Sequence, residues 1–138
     1  MNGYLMQERQ WTPGEDLFVE SFSPESPYGV VFEDDGQTAY FYAAEKDKEG
    51  TGLRVLDALH IRETGGELAE APAQKPAKLQ IVWSRDWMKS ALVIDGLCHA
   101  LFDFLAHGGY NINEFPPPND LWTQGDRKLT MELMQKLF

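Results

Sequence analysis

Two Asp-Gly pairs, each set between runs of β-branched and aromatic residues, constrain this chain more than any other feature. Asp35-Gly36 separates Tyr28-Gly29-Val30-Val31-Phe32-Glu33-Asp34 from Gln37-Thr38-Ala39-Tyr40-Phe41-Tyr42. Asp95-Gly96 separates Ser90-Ala91-Leu92-Val93-Ile94 from Leu97-Cys98-His99-Ala100-Leu101-Phe102. Such a pair suits a two-residue type I′ turn, whose central residues both need positive φ. Two hairpins are therefore predicted. In the first, Phe32 faces Ala39 and Val30 faces Phe41. These four form the core face, and Val31, Glu33, Thr38 and Tyr40 form a partly solvated one. The second hairpin is apolar on both sides, with Leu92, Ile94, Leu97 and Leu101 opposed to Ala91, Val93, Cys98, Ala100 and Phe102. It belongs at the centre of a covered sheet.

The remaining segments extend this β framework. Leu17 to Phe22 reads as a strand, ended by Ser23-Pro24-Glu25-Ser26-Pro27 because proline lacks a ladder donor. Leu53, Val55, Leu59 and Ile61 alternate as a strand, and so do Leu79, Ile81 and Trp83. No strand is predicted before Thr12-Pro13-Gly14. Residues 45–52 read as a charged loop, and Thr64 to Lys78 as a long polar surface connection. Near the end, Leu129, Leu133 and Leu137, with Met134 beside them, make the apolar stripe of a helix over Asp126 to Phe138. Thr123 and Asp126 supply a capping signature. Trp83 is assigned to the core, and Trp11, Trp87 and Trp122 to its edges. The predicted fold is α+β: a mainly antiparallel β-sheet built from hairpins, with a C-terminal α-helix packed on it. At 138 residues it forms one globular domain spanning 1–138.

Charge narrows the choice of partner. The chain carries 22 acidic and 12 basic residues, a formal net charge of −10. All of the excess falls in residues 1–70, where 15 acids face 5 bases. Such a field repels phosphate backbones and anionic lipid, which excludes nucleic-acid and membrane-surface binding. It steers a basic protein partner. No apolar run approaches the length of a membrane span, the N-terminus lacks the pattern of a secretory signal, and the lone Cys98 fits a reducing compartment. The expected location is cytoplasmic.

Candidate site residues follow from chemistry and spacing. Glu33, Asp34 and Asp35 gather at the first hairpin tip, where solvent keeps acids ionised, and Glu45, Asp47 and Glu49 follow in the next loop. These six are the predicted partner-contacting acids. An alternative pocket would use His60, His99 and Asp103. His99 and Asp103 lie about 13 Å apart on a strand, too far for one ion. Asp57 and His60, three apart, point to opposite faces. No metal site and no cofactor are expected. Cys98 has no base beside it, because strand neighbours face apart.

Several blocks carry a family likeness. Ser26-Pro27-Tyr28-Gly29-Val30-Val31-Phe32-Glu33-Asp34-Asp35-Gly36 runs into Tyr40-Phe41-Tyr42-Ala43. Leu56-Asp57-Ala58-Leu59-His60-Ile61, Trp83-Ser84, Lys89-Ser90-Ala91-Leu92-Val93-Ile94-Asp95-Gly96, His99-Ala100-Leu101-Phe102-Asp103-Phe104 and Phe115-Pro116-Pro117-Pro118 follow. Together they resemble a bacterial family of uncharacterised proteins, which implies no activity to carry over. In size and acidity the chain also resembles immunity proteins that neutralise toxin domains. The expectation is a non-enzymatic protein-binding module that occludes a basic partner such as a toxin domain. A hydrolase or small-molecule binder built on the His/Asp pocket is the alternative, and self-association through a hairpin edge is a third reading.

Overall fold

Among the described residues, alternating apolar side chains in nine strands build two antiparallel sheets that face each other across a shared core. The computed structural model describes residues 2–49, 51–66, 75–118 and 121–138. The strands are β1 (Gly3–Trp11), β2 (Leu17–Phe22), β3 (Tyr28–Asp34), β4 (Thr38–Lys46), β5 (Leu53–Glu63), β6 (Ala77–Ser84), β7 (Lys89–Ile94), β8 (Leu97–Asp103) and β9 (Gly108–Asn111). One short helix, α1 (Met131–Leu137), follows. One sheet has the order β1-β6-β7-β8-β9, and the other β2-β3-β4-β5. Val30, Phe32, Phe41 and Leu59 of the smaller sheet meet Leu79, Ile81, Trp83, Leu92 and Phe102 of the larger, all fully buried. This is an α+β fold of mainly β content.

Both hairpins form, with one change of register. Asp95 and Gly96 have φ of 49° and 81°, and Ile94 pairs with Leu97, as a two-residue turn requires. At the first tip only Gly36 has positive φ. The Asp35 carboxylate instead accepts the amides of Gln37 and Thr38, both at 2.9 Å, which widens the loop. Phe32 therefore pairs with Phe41 and Val30 with Ala43, two positions from the expected partners. A two-residue slip preserves the faces, so Val30, Phe32, Ala39 and Phe41 are all buried as expected.

Bulges correct two of the expected faces. In β8 the register shifts between the pairs Val93–Cys98 and Leu92–Ala100, which leaves His99 as the extra residue. Ala100 and Phe102 therefore join Leu92 and Ile94 in the central core. Cys98 and Leu101 join Ala91 on the opposite face, and Leu97 is exposed. In β5 the pairing skips Leu56, so Leu53 and Val55 are exposed although Leu59 and Ile61 are buried.

The chain ends also differ from expectation. Residues 3–11 form a strand paired with β6, which local pattern missed because eight of its nine residues are not buried. The helix begins at Met131 rather than Asp126. Its N-cap is Thr130, whose Oγ1 accepts the Leu133 amide at 3.0 Å. The predicted stripe does pack: Leu129, Leu133, Met134 and Leu137 cover Ala91, Cys98 and Leu101 on the outer side of the larger sheet. The middle of the Thr64–Lys78 connection, residues 67–74, lies outside the described residues.

Candidate functional site

The outer side of the four-stranded sheet has no helix or strand packed on it among the described residues. Registers place its side chains in transverse rows. Phe18, Glu33, Tyr40 and His60 make one row, Glu20, Val31, Tyr42 and Ala58 the next, and Phe22, Gly29, Ala44 and Val55 a third. Each alternates with an inward row, such as Val19, Phe32, Phe41 and Leu59, so period-2 patterning alone builds the surface. Phe18 and Val55 are 58% and 60% exposed. Tyr40 and Tyr42 stack with centroids 5.8 Å apart. The Phe22 ring lies over Gly29, with Lys46 Nζ 4.5 Å from its centroid.

Two carboxylates, Glu20 and Glu33, stand on this face, with Lys46 at its Phe22 end. Burial first, then the charges of Glu33, Tyr40 and Asp35, push the Tyr42 hydroxyl above its ordinary pKa. Backbone donation from Thr38 and Gln37 holds the Asp35 carboxyl below the usual aspartate value.

The predicted acids divide by environment. Glu33 stands half-buried in the first row, and Asp35 is exposed at the tip. Asp34 is a correction. It is 1% exposed and points into the core, accepting from Trp11 Nε1 (3.0 Å), the Gly14 and Gly36 amides (2.9 Å each) and Thr64 Oγ1 (2.7 Å). Strand alternation explains it: Asp34 continues the inward set of Val30 and Phe32. Glu45 pairs with Arg54, while Asp47 and Glu49 are exposed. Glu45 lies in β4, opposite Tyr28, and the loop with Asp47 and Glu49 follows it, so these acids and the Asp35 tip sit at opposite ends of β3, about 20 Å apart at ~3.3 Å per residue. They flank the open face rather than forming one patch.

The alternative pocket residues lie on two sheets. His60 Nε2 lies 3.1 Å from Glu63 Oε1, and His60 Nδ1 lies 2.7 Å from Asn113 Nδ2. The Tyr40 and Phe115 rings stand nearly perpendicular to the imidazole, with centroids 5.4 and 5.7 Å away. Asp103 is buried and accepts the amides of Leu105 and Ala106, without a bond to His60. His99 is the half-buried bulge residue of β8, and its carbonyl accepts the Ile112 amide. Burial pushes the Cys98 thiol up to about 11, far from a reactive thiolate. Among the described residues no group of three or more His, Cys, Asp or Glu side chains is arranged to hold a metal ion. No described helix is long and apolar enough to cross a membrane.

A second polar centre escaped local reading. Arg127 pairs with Asp57 at the seam where β5 meets β9, and it also donates to the carbonyls of Gly109 and Pro116. Asn111 donates from Nδ2 to the carbonyls of His60 and Phe115, both at 2.8 Å, and its Oδ1 is buried without a partner. No periodic signal marks residues that act through contacts so distant in sequence.

Two antiparallel sheets, a short helix on the outside of one and an acidic, aromatic surface on the other define a mainly β member of the α+β class. Residues 11–138 match a family described as an uncharacterized protein conserved in bacteria (DUF2251), and the chain belongs to that family. It is 36% identical over 99 residues to an uncharacterized protein of Haemophilus influenzae (strain Rd). That match covers 70% of this chain and 58% of the relative, so the chain spans less than two thirds of the relative's length. No solved structure matches the chain.

Proposed function

We propose that this protein is a non-enzymatic binding module whose open four-stranded sheet receives a basic protein partner, with occlusion of a basic toxin domain as its specific form. One observation carries this reading: Glu33 stands between Phe18 and Tyr40 in one row, and Glu20 lies beside Val31 and Tyr42 in the next, on a face that no described helix or strand covers. Aromatic rings provide rigid contact area, and carboxylates between them select cationic side chains. The acidic ends at Asp35 and at Asp47 and Glu49 steer approach, and their effect weakens with salt.

The test is retention of bacterial lysate proteins on the immobilised protein, beside the double variant Glu20→Lys/Glu33→Lys. Basic proteins are expected on the wild type, lost on the variant, and released as salt rises from about 0.05 to about 0.5 M. Retention of only neutral or acidic proteins removes the reading, and so does equal retention by the variant.

A further inference from the structure

We infer that His60 is a pH-sensitive latch on the segment that follows β9, because the hydrogen bonds around it allow only one protonation state of its ring. The inference goes beyond the partner reading and stands whether or not the open face binds a protein.

The bond directions follow from the surroundings. Asn111 Nδ2 points at the carbonyls of His60 and Phe115, so its amide has one workable orientation. The amide carries two protons, so one of them is shared with Asn113 Oδ1 at 2.9 Å, and the Phe115 amide donates fully to the same oxygen at 3.0 Å. Two donors on Oδ1 fix the Asn113 amide as well. Its Nδ2 is therefore the group that faces His60 Nδ1, and it donates. The ring accepts at Nδ1 and donates from Nε2 to Glu63, which makes it the neutral Nε2–H tautomer.

Protonation breaks this arrangement. A proton on Nδ1 sets N–H against N–H across 2.7 Å. Turning the Asn113 amide over would satisfy the imidazolium but aim Nδ2 at the Phe115 amide and Asn111 Nδ2, two donors. One side of the node must open whichever way the amide turns. Asn113 is exposed, so the cheaper escape is for its side chain to swing into solvent and release the Phe115 amide.

Among the described residues, these groups face His60 from each neighbour. On β5 there is Glu63, itself held by Thr38 Oγ1 of β4 at 2.9 Å. From β4 comes the Tyr40 ring, with Glu33 one strand further, and from the segment after β9 come Asn113 and Phe115. The His60 amide also donates to the Phe115 carbonyl at 2.9 Å, so the segment stays tethered when the latch opens. The change is a local loosening around Phe115, at the end of the Phe18–Glu33–Tyr40–His60 row.

The test is amide hydrogen exchange of Phe115, expressed as a protection factor, beside an NMR titration of the His60 ring. In the wild type, protection is expected to fall roughly tenfold as His60 gains its proton. Asn113→Asp reverses the logic, because the introduced carboxylate accepts from the imidazolium, from Asn111 Nδ2 and from the Phe115 amide together. In that variant the His60 midpoint rises by about one pH unit or more, and Phe115 protection increases on protonation. His60→Gln removes the pH-dependent step. Phe115 protection that ignores His60 ionisation in the wild type overturns the inference, as does an unshifted His60 midpoint in Asn113→Asp.

Discussion

Arg127 and Asp57, 70 residues apart in sequence, form a two-pronged ion pair at the seam between the sheets. Nη1 meets Oδ2 and Nη2 meets Oδ1, each at 2.8 Å, with the side chains 2% and 8% exposed. Thr123 Oγ1 and the Ala58 amide add two further donors to the carboxylate. The pair welds the irregular segment after β9 onto β5, the strand that also carries His60.

Removing one partner strands the other charge in a buried place. Arg127→Met and Asp57→Ala are each expected to cost about 3–5 kcal/mol in urea unfolding. The double variant should lose less than the sum, because the partners act as a unit. Additive losses, or single losses below about 1 kcal/mol, contradict a buried charge pair.

Gly109 is the residue that lets Arg127 lie where it does. A methyl there would stand 2.7 Å from Asp57 Oδ2, 2.8 Å from the Phe102 ring and 3.1 Å from Arg127 Nη1. Gly109→Ala is expected to destabilise by about 1–3 kcal/mol through overpacking. Combined with Arg127→Met, which opens space, the cost of the methyl should shrink. An unchanged cost would locate the strain elsewhere.

Asp34 holds four donors, including the indole of fully buried Trp11. Asp34→Ala leaves those donors without their acceptor, and a loss of at least about 3 kcal/mol is expected. Glu33→Gln, one residue away but on the open face, should change stability by less than about 0.5 kcal/mol. Equal effects at the two positions would deny the inward turn of Asp34.

Cys98, with its thiol pushed up to about 11 by burial, should resist alkylation. At pH 8 iodoacetamide is expected to label the folded protein about 100-fold more slowly than the urea-unfolded chain. The sign of the pH linkage follows from the raised value. The folded state keeps its thiol proton longer than the unfolded chain. Its contribution is therefore complete below the ordinary thiol value and lost as pH rises toward 11. Equal labelling rates would mean the thiol is open to solvent.

How much was legible beforehand differs from residue to residue. Phe32 and Phe41 were placed on the core face because their neighbours alternate with them, and that assignment survived a two-position error in pairing. Leu97 and Leu101 were placed together, yet the bulge at His99 sends Leu101 under α1 and leaves Leu97 in solvent. One extra residue in a strand inverts every face beyond it, and no composition rule announces it. Among the predicted acids, Glu33 falls on the open face and Asp34 turns inward, although hairpin patterning treated both as tip residues. His60 was singled out as a histidine, but its partners Asn113 and Glu63 were not, since an asparagine after β9 has no local reason to meet β5.

The order of residues by itself determined the hairpins, the inward rows of β3, β4 and β6, the apolar stripe of the last helix and the acidic excess of the first half. Each depends on neighbours a few positions apart, through pleat, helical pitch or turn geometry. Only the tertiary structure decided that residues 3–11 become a strand beside β6, that Arg127 reaches Asp57, and that Asn111 and Asn113 enclose His60. Those outcomes depend on which distant groups remain unsatisfied once the sheets have packed, and a buried charge or amide finds its partner through space rather than along the chain.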